Sequence, residues 1–292
     1  MKPYLIAIVG WLSAILPAVA QTLTLSGTDF FKGDIAKSME AAGASHGLKA
    51  TWSGSFQALQ ALRSGKVDLA VLTSPSPEEL PDVPGMRRMP IAYRLCRVVV
   101  AKDNPVNSIS YKQLRAIYGS RASQRLENWK DVLGTNTGTS GWANRAIEPM
   151  IPIAYTSFSR EIFLHNALRD DRLHPSVKVF SNEKALQNAF AANSGAIAIL
   201  SGLAVEEFSK PIPVSKEDGQ SFTATPENLY FGDYPLYMPF SLYFPEIRTK
   251  ELLPLIEAFY SQEVSQAIFQ NGLAPVPDAF RTAEINRLKQ GF

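Results

Sequence analysis

The chain has 292 residues, 46% of them hydrophobic, and a formal net charge of only +2 at pH 7. Such an apolar fraction supports a full hydrophobic core, whereas a nucleic-acid-binding protein would carry a concentrated excess of basic residues. Cys96 is the only cysteine, so an internal disulfide is excluded. The composition therefore indicates a globular protein that does not bind nucleic acid.

The N-terminal segment is patterned for export. Met1-Lys2 provides a positive start, Tyr4 to Leu16 is apolar, and Ala18-Val19-Ala20 offers small residues for cleavage. This pattern predicts a secretory signal peptide over residues 1–20, with the mature chain starting at Gln21. The apolar run is too short to be a convincing spanning helix.

Strands and helices alternate in the first part of the mature chain. Thr22–Ser26, Lys49–Trp52 and Val67–Thr73 are predicted strands. Phe30–Ala42 and Ser55–Ser64 are the helices predicted between them. This βαβαβ series is typical of an α/β protein with a mostly parallel sheet and helices on both faces.

A Pro-rich break over residues 74–84 separates this series from a second one. The loop Gly134–Gly141 is a candidate rim or lid loop, or else a surface loop without function. The elements predicted after the break are a segment Arg87–Ala92, a strand Arg97–Ala101, a helix Tyr111–Tyr118, a partly extended Ala146–Ala154, a helix Arg160–Leu168, a strand Val177–Phe180, a helix Asn182–Ala192, a strand Ala196–Leu200, an extended Tyr230–Phe244, and helices Lys250–Ser261 and Gln262–Gln270.

Hydroxyl residues cluster where predicted strands end or helices begin. Three short turns carry them: Ser26-Gly27-Thr28, Ser53-Gly54-Ser55 and Thr156-Ser157-Phe158-Ser159. The first N–H groups of a helix have no intrahelical partner and lie at the positive end of its dipole, so such turns can hold an anion. Ligands of parallel sheets bind beyond the carboxyl ends of the strands. The alternative is that these residues are ordinary helix N-caps.

The candidate ligand-binding residues are therefore the hydroxyl residues of these turns other than Thr156, the glycine of the first turn, the two residues that end the third predicted strand, and the arginine after the third turn. They are Ser26, Gly27, Thr28, Ser53, Ser55, Thr73, Ser74, Ser157, Ser159 and Arg160.

Arg160 has two open interpretations. Its guanidinium could bind an oxyanion in a bidentate manner, or it could form a surface ion pair with Glu161 or a neighbouring helix. The three histidines are far apart and lack the spacing of metal ligands. No nucleophile–base pair stands out, so the sequence predicts neither catalysis nor a metal or cofactor.

The chain resembles a known family at several motifs in the right order. Asn104-Pro105, Gln113–Gly119 and Asn128-Trp129-Lys130-Asp131 are similar to a stretch of the periplasmic phosphate-binding proteins of ABC transporters and their relatives. Ser157–Phe163 falls where those proteins carry Ser-Gly-Thr-Arg-x-x-Phe, and Tyr234-Pro235-Leu236 resembles their return strand. The resemblance covers essentially the whole mature chain.

The resemblance implies a two-lobed type II periplasmic binding protein fold, in which two crossover strands join the lobes and a ligand is held between them. One lobe would comprise residues 21–94 and 235–292, and the other residues 95–234. The implied function is capture of a small oxyanion, phosphate first, by a monomeric periplasmic protein that serves an ABC permease and is not an enzyme.

Three departures from the family pattern bear on the ligand. Phe158 and Ser159 stand where the family has Gly and Thr, and residues 151–156 lack the Arg that usually precedes this turn. Thr73 or Ser74 occupies the place of the Asp that accepts a hydrogen bond from protonated phosphate. Without that acceptor, sulfate is expected to compete with phosphate. The alternative function is a binding or sensor module of the same fold for a different small molecule, without transport.

Overall fold

A computed structural model describes residues 22–134, 140–153, 157–204, 206–217 and 219–291. The predicted signal peptide, Thr156 and most of the predicted loop after Gly134 lie outside these residues. None of the helices in the described segments is long and apolar enough to cross a membrane.

The chain forms twelve strands and eleven α-helices within the described segments. The strands are β1 (Thr24–Gly27), β2 (Lys49–Trp52), β3 (Leu69–Thr73), β4 (Met86–Ala101), β5 (Ile109–Ser110), β6 (Glu148–Pro152), β7 (Lys178–Phe180), β8 (Ala196–Ser201), β9 (Ser209–Pro211), β10 (Val214–Ser215), β11 (Tyr237–Pro245) and β12 (Ala274–Pro275). The helices are α1 (Asp34–Gly43), α2 (Ser55–Arg63), α3 (Tyr111–Tyr118), α4 (Trp129–Leu133), α5 (Ser140–Ala143), α6 (Phe158–Asn166), α7 (Glu183–Ala191), α8 (Pro226–Tyr230), α9 (Thr249–Phe259), α10 (Gln262–Gln270) and α11 (Asp278–Gln290).

Strand β4 is shared by two sheets. In the first sheet, β1 lies between β2 and β3 in parallel, and β11 joins β3 to the first part of β4 in antiparallel pairing. In the second sheet, β6 lies between β7 and β8 in parallel, and β8 pairs with the last part of β4. The change of partner falls between Leu95, paired with Tyr237, and Cys96, paired with Ser201.

The return connection passes the same point as β4. The Cys96 N–H donates to the Leu236 carbonyl at 3.1 Å, and the Tyr234 hydroxyl donates to the Cys96 carbonyl at 2.7 Å. The Tyr111 hydroxyl donates to the Pro235 carbonyl at 2.9 Å. Two antiparallel segments thus connect the sheets. The two hydrogen bonds of Cys96 hold these segments together, and the Tyr111 bond attaches the return segment to α3.

Strands β3, β4, β8 and β11 are buried along most of their length and form the centre of the core. Helices α9 and α10 pack against α1, so the C-terminal part of the chain returns to the first sheet. We propose on this basis that the two sheets are the centres of two lobes, residues 21–94 with 235–292 and residues 95–234.

The predicted alternation of strands and helices is confirmed, but some bounds were wrong. The predicted helix from Phe30 is divided into a 3-10 turn, Asp29–Phe31, and α1. The interruption lies at Gly33, whose φ of +96° is a conformation that favours glycine. The aromatic segment predicted as extended begins instead with the end of α8 at Tyr230, and the strand starts only at Tyr237.

Candidate functional site

The first hydroxyl turn follows β1. Thr28 is only 1% exposed; its N–H donates to the Val71 carbonyl at 2.9 Å, and its Oγ1 accepts from the Phe30 N–H at 3.4 Å. The second turn is adjacent, because the Gly54 N–H donates to the Gly27 carbonyl at 3.1 Å. The sheet therefore brings the first two turns together, as expected for neighbouring parallel strands.

The remaining candidates of the first sheet are used mainly inside the protein. The Ser55 hydroxyl accepts from the Thr73 N–H at 3.0 Å, and the Thr73 hydroxyl donates to the Pro239 carbonyl at 2.7 Å. The Ser74 hydroxyl donates to the Ser76 carbonyl at 2.5 Å. Ser26 is buried within β1, whereas Ser53 is exposed. These contacts fix the turns, and the assignment of these residues to a ligand stays a prediction.

The third turn is a helix cap. Ser157 is the N-cap of α6, and its hydroxyl accepts from the Ser159 N–H at 3.2 Å. The interpretation as an N-cap therefore holds for Ser157. The hydroxyl groups of Ser157 and Ser159 also contact a further group.

That group is the carboxylate of Glu183, the first residue of α7. Its Oε1 accepts from the Ser157 hydroxyl at 2.5 Å and from the Ser159 hydroxyl at 3.2 Å. Ser201, at the end of β8, donates its N–H to Oε1 at 3.1 Å and its hydroxyl to Oε2 at 2.7 Å. The donors predicted to hold a ligand oxyanion are thus shared with an oxyanion of the protein itself.

The first and third turns face each other. Phe30, two residues after Thr28, meets Phe158 between the two serines of the third turn, with ring centroids 4.9 Å apart in an edge-to-face arrangement. Edge-to-face pairs are a favourable aromatic geometry. The Phe that replaces a small residue in the family pattern therefore forms a contact across the space between the turns.

Arg94 of β4 lies beside both rings. Its guanidinium carbon is 5.3 Å from the Phe30 centroid and 4.6 Å from the Phe158 centroid. No ion pair or hydrogen bond joins this side chain to any residue in the described part of the chain, and its Nε is buried without a partner. Burial lowers the pKa of Arg94 from its usual value because it disfavours the charged form.

A cavity of about 280 Å³ brings these groups together. Its lining residues are Arg94, Ser157, Phe158, Ser159, Glu183, Ser201, Asn271 and Gly272. The cavity offers one cation without a partner, three hydroxyl groups and one carboxylate.

Arg160 does not form the surface ion pair that was one of its two interpretations. Within the described residues, no carboxylate lies within ion-pair distance of it, and its Nε is buried without a hydrogen-bond partner. It is also absent from the lining of the cavity at Arg94. Its assignment to a ligand stays a prediction.

Sequence reasoning missed Arg94 and Glu183. Arg94 interrupts an apolar run between Tyr93 and Leu95, and a charge at such a place is a usable signal. Glu183 gave no such signal in the sequence, because an acidic residue in the first turn of a helix usually only complements the helix dipole.

Comparison with known proteins identifies the family. A family model described as a PBP superfamily domain matches residues 13–261. The chain therefore belongs to the PBP (periplasmic binding protein) superfamily, and the predicted type II two-lobed fold is confirmed.

Three similar proteins illustrate the relationship. Protein SphX of Synechococcus elongatus is 25% identical over 253 residues, which are 81% of this chain and 71% of SphX. The phosphate-binding protein PstS of Pseudomonas aeruginosa is 25% identical over 199 residues, 65% of this chain and 60% of that protein. The crystal structure of PstS from Borrelia burgdorferi has a TM-score of 0.65 at 13% identity, covering 87% of this chain and 98% of that one.

Proposed function

We propose that this chain is a solute-binding protein that captures phosphate between its lobes for uptake by an ABC permease. Export to the periplasm through the segment of residues 1–20, a monomeric state and the absence of catalysis belong to the same proposal. Membership of the PBP superfamily supports it, and so does the similarity to a protein named as a phosphate-binding protein, of which the chain spans 60%.

The observation that carries the proposal is the Phe30–Phe158 contact, because it places the first and third hydroxyl turns opposite each other. Donors from both would then meet one small anion. Closure around that anion excludes water, which strengthens charge-assisted hydrogen bonds.

Calorimetry of the mature protein with phosphate is the direct test. Thr28→Val and Ser157→Ala should each weaken phosphate binding by about 1–3 kcal/mol, since each removes a hydroxyl that serves a desolvated charge.

Matched controls separate loss of a ligand contact from loss of a helix cap. Thr225 caps α8 through its hydroxyl and Ser110 caps α3 in the same way. Thr225→Val and Ser110→Ala should lower stability to a similar extent and leave the affinity for phosphate unchanged. Phosphate affinity that falls equally in all four variants, or a wild-type protein that binds no phosphate, would overturn the proposal.

A further inference from the structure

Arg94 is a cation without a counter-charge in the described part of the chain. Its guanidinium lies over the faces of two phenylalanine rings, Phe30 and Phe158. Ring contacts attract a guanidinium but satisfy none of its N–H donors, which point outward in its own plane. An unpaired, partly desolvated charge is unfavourable, so the arrangement favours an anion that approaches the free edge of the guanidinium.

The remaining lining of the cavity suits the same anion. Ser157, Ser159 and Ser201 carry hydroxyl donors, and a tetrahedral oxyanion can accept from several of them at once. The Glu183 carboxylate accepts from all three of these hydroxyl groups and also from the Ser201 N–H. No cation lies within ion-pair distance of Glu183 among the described residues, so serine groups alone hold its charge.

We infer that Arg94 is the cationic residue of the anion site and that the Glu183 carboxylate competes with the bound anion for its serine donors. This inference rests on the proposed function and names the residues that set the affinity of its site. An incoming phosphate gains the Arg94 guanidinium, which Glu183 does not contact, and takes over serine donors from Glu183. Like charges at close range repel, so the Glu183 carboxylate sets an upper limit on how tightly an anion binds.

Phosphate titration of Arg94 variants tests whether Arg94 is the cationic residue of the anion site. Arg94→Gln should weaken binding about 10- to 100-fold, the usual effect of losing a charge-assisted contact. Arg94→Lys should recover part of the affinity, because it restores the charge without the planar pair of donors. Arg88→Gln is the matched control: Arg88 lies on the same strand, is exposed, and its loss changes net charge equally. Unchanged affinity in Arg94→Gln, with phosphate still bound by the wild type, would refute the role of Arg94 without touching the proposed function.

Glu183→Gln tests whether the Glu183 carboxylate competes with the bound anion. Removing the carboxylate charge should strengthen the binding of both phosphate and sulfate, by about 3- to 10-fold. Glu183 could instead accept a hydrogen bond from a protonated oxygen of phosphate; Glu183→Gln would then weaken phosphate binding and leave sulfate unaffected or favoured. That outcome would overturn the inference that the Glu183 carboxylate competes with the bound anion. Thermal unfolding of each variant without ligand shows whether it is folded under the conditions of the titration.

Discussion

Gly27 ends β1 directly beneath the indole ring of Trp52. A Cβ at this position would lie 2.5 Å from two ring carbons of Trp52, far inside van der Waals contact. Its φ is not in the left-handed region, so the requirement for glycine is one of space. The predicted ligand residue therefore also has a structural reason to be glycine, namely the packing of β1 against β2.

We expect Gly27→Ala to lower the free energy of unfolding by about 1–3 kcal/mol, the usual cost of overpacking. Chemical denaturation measures it. Gly141 is a suitable control because its backbone is not in the left-handed region and a Cβ there meets nothing within 4 Å. Gly141→Ala should leave stability unchanged or raise it slightly, and an equal loss in both variants would contradict the steric explanation.

At the scale of residues, the sequence singled out Ser157 and Ser159 of the candidate site but not Glu183, and their role in ligand binding stays a prediction. Local patterns revealed Ser157 and Ser159, because a cap lies next to the helix that it starts. Glu183 comes 26 and 24 positions after these serines, and only the packing of α6 and α7 against strands β6 and β8 brings them together. Pairings between residues so distant in sequence leave no local periodicity to read.

At the scale of elements, α6 contacts the part of the chain before β4 at a second place, in addition to the Phe30–Phe158 contact. His165, near its end, contacts Glu79 of the 3-10 turn Pro77–Glu79 through Nε2 at 2.5 Å, and Asp170 through Nδ1 at 3.4 Å. Asn166 donates to the Pro75 carbonyl at 3.1 Å, and Lys216 pairs with Glu78. The Pro-rich break seen in the sequence is thus held against the part of the chain that carries the third turn.

His165 should make stability depend on pH. The hydrogen bond with Glu79 raises its pKa above the usual 6.5. A histidine whose pKa is raised by folding stabilises fully below its unfolded pKa and loses this contribution as the pH rises through the folded value. The stability difference between wild type and His165→Gln should therefore be largest below about pH 6.5 and vanish in alkaline solution. Since the ring is partly exposed, the effect should be small.

Denaturation curves between acidic and alkaline pH measure this difference. His174→Gln is the control, because the Nδ1 of His174 contacts the Ser176 hydroxyl rather than a carboxylate. A difference that grows with rising pH, or one that is the same for both histidines, would show that the Glu79 contact does not stabilise the fold.

For the whole molecule, the sequence predicted the fold class and the two-lobed arrangement well. Alternating strands and helices are local, and the family motifs follow one another in the expected order. The sequence did not show that Arg87–Ala92 and Arg97–Ala101 are parts of one strand, β4. That continuity depends on partners from β8 and β11, which lie far along the chain: Val100 pairs with Ile197 and Leu95 with Tyr237.

Cys96 is a chemical probe of the connection between the two sheets, because it lies where β4 passes from one sheet to the other. Its thiol is 0% exposed, and burial raises its pKa, so the reactive thiolate is both scarce and shielded. A thiol reagent should therefore modify the native protein only as fast as the two sheets separate or the chain unfolds. Phosphate should slow the reaction further if it binds the closed form.

Absorbance during reaction with an aromatic disulfide follows the modification, and the denatured chain gives the fully exposed rate. Rapid modification of the native protein, indifferent to phosphate, would show that the region around Cys96 is open.

The unbroken course of β4 also determines how the molecule can deform. A loop between lobes acts as a free joint, but β4 is a continuous strand of 16 residues, so we expect it to resist a change in the angle between the two sheets. Two hydrogen bonds between Cys96 and the return segment at Tyr234–Leu236 couple a second segment of the chain to β4 at this point. We therefore expect this connection to oppose any turning of one sheet against the other more strongly than a loop would.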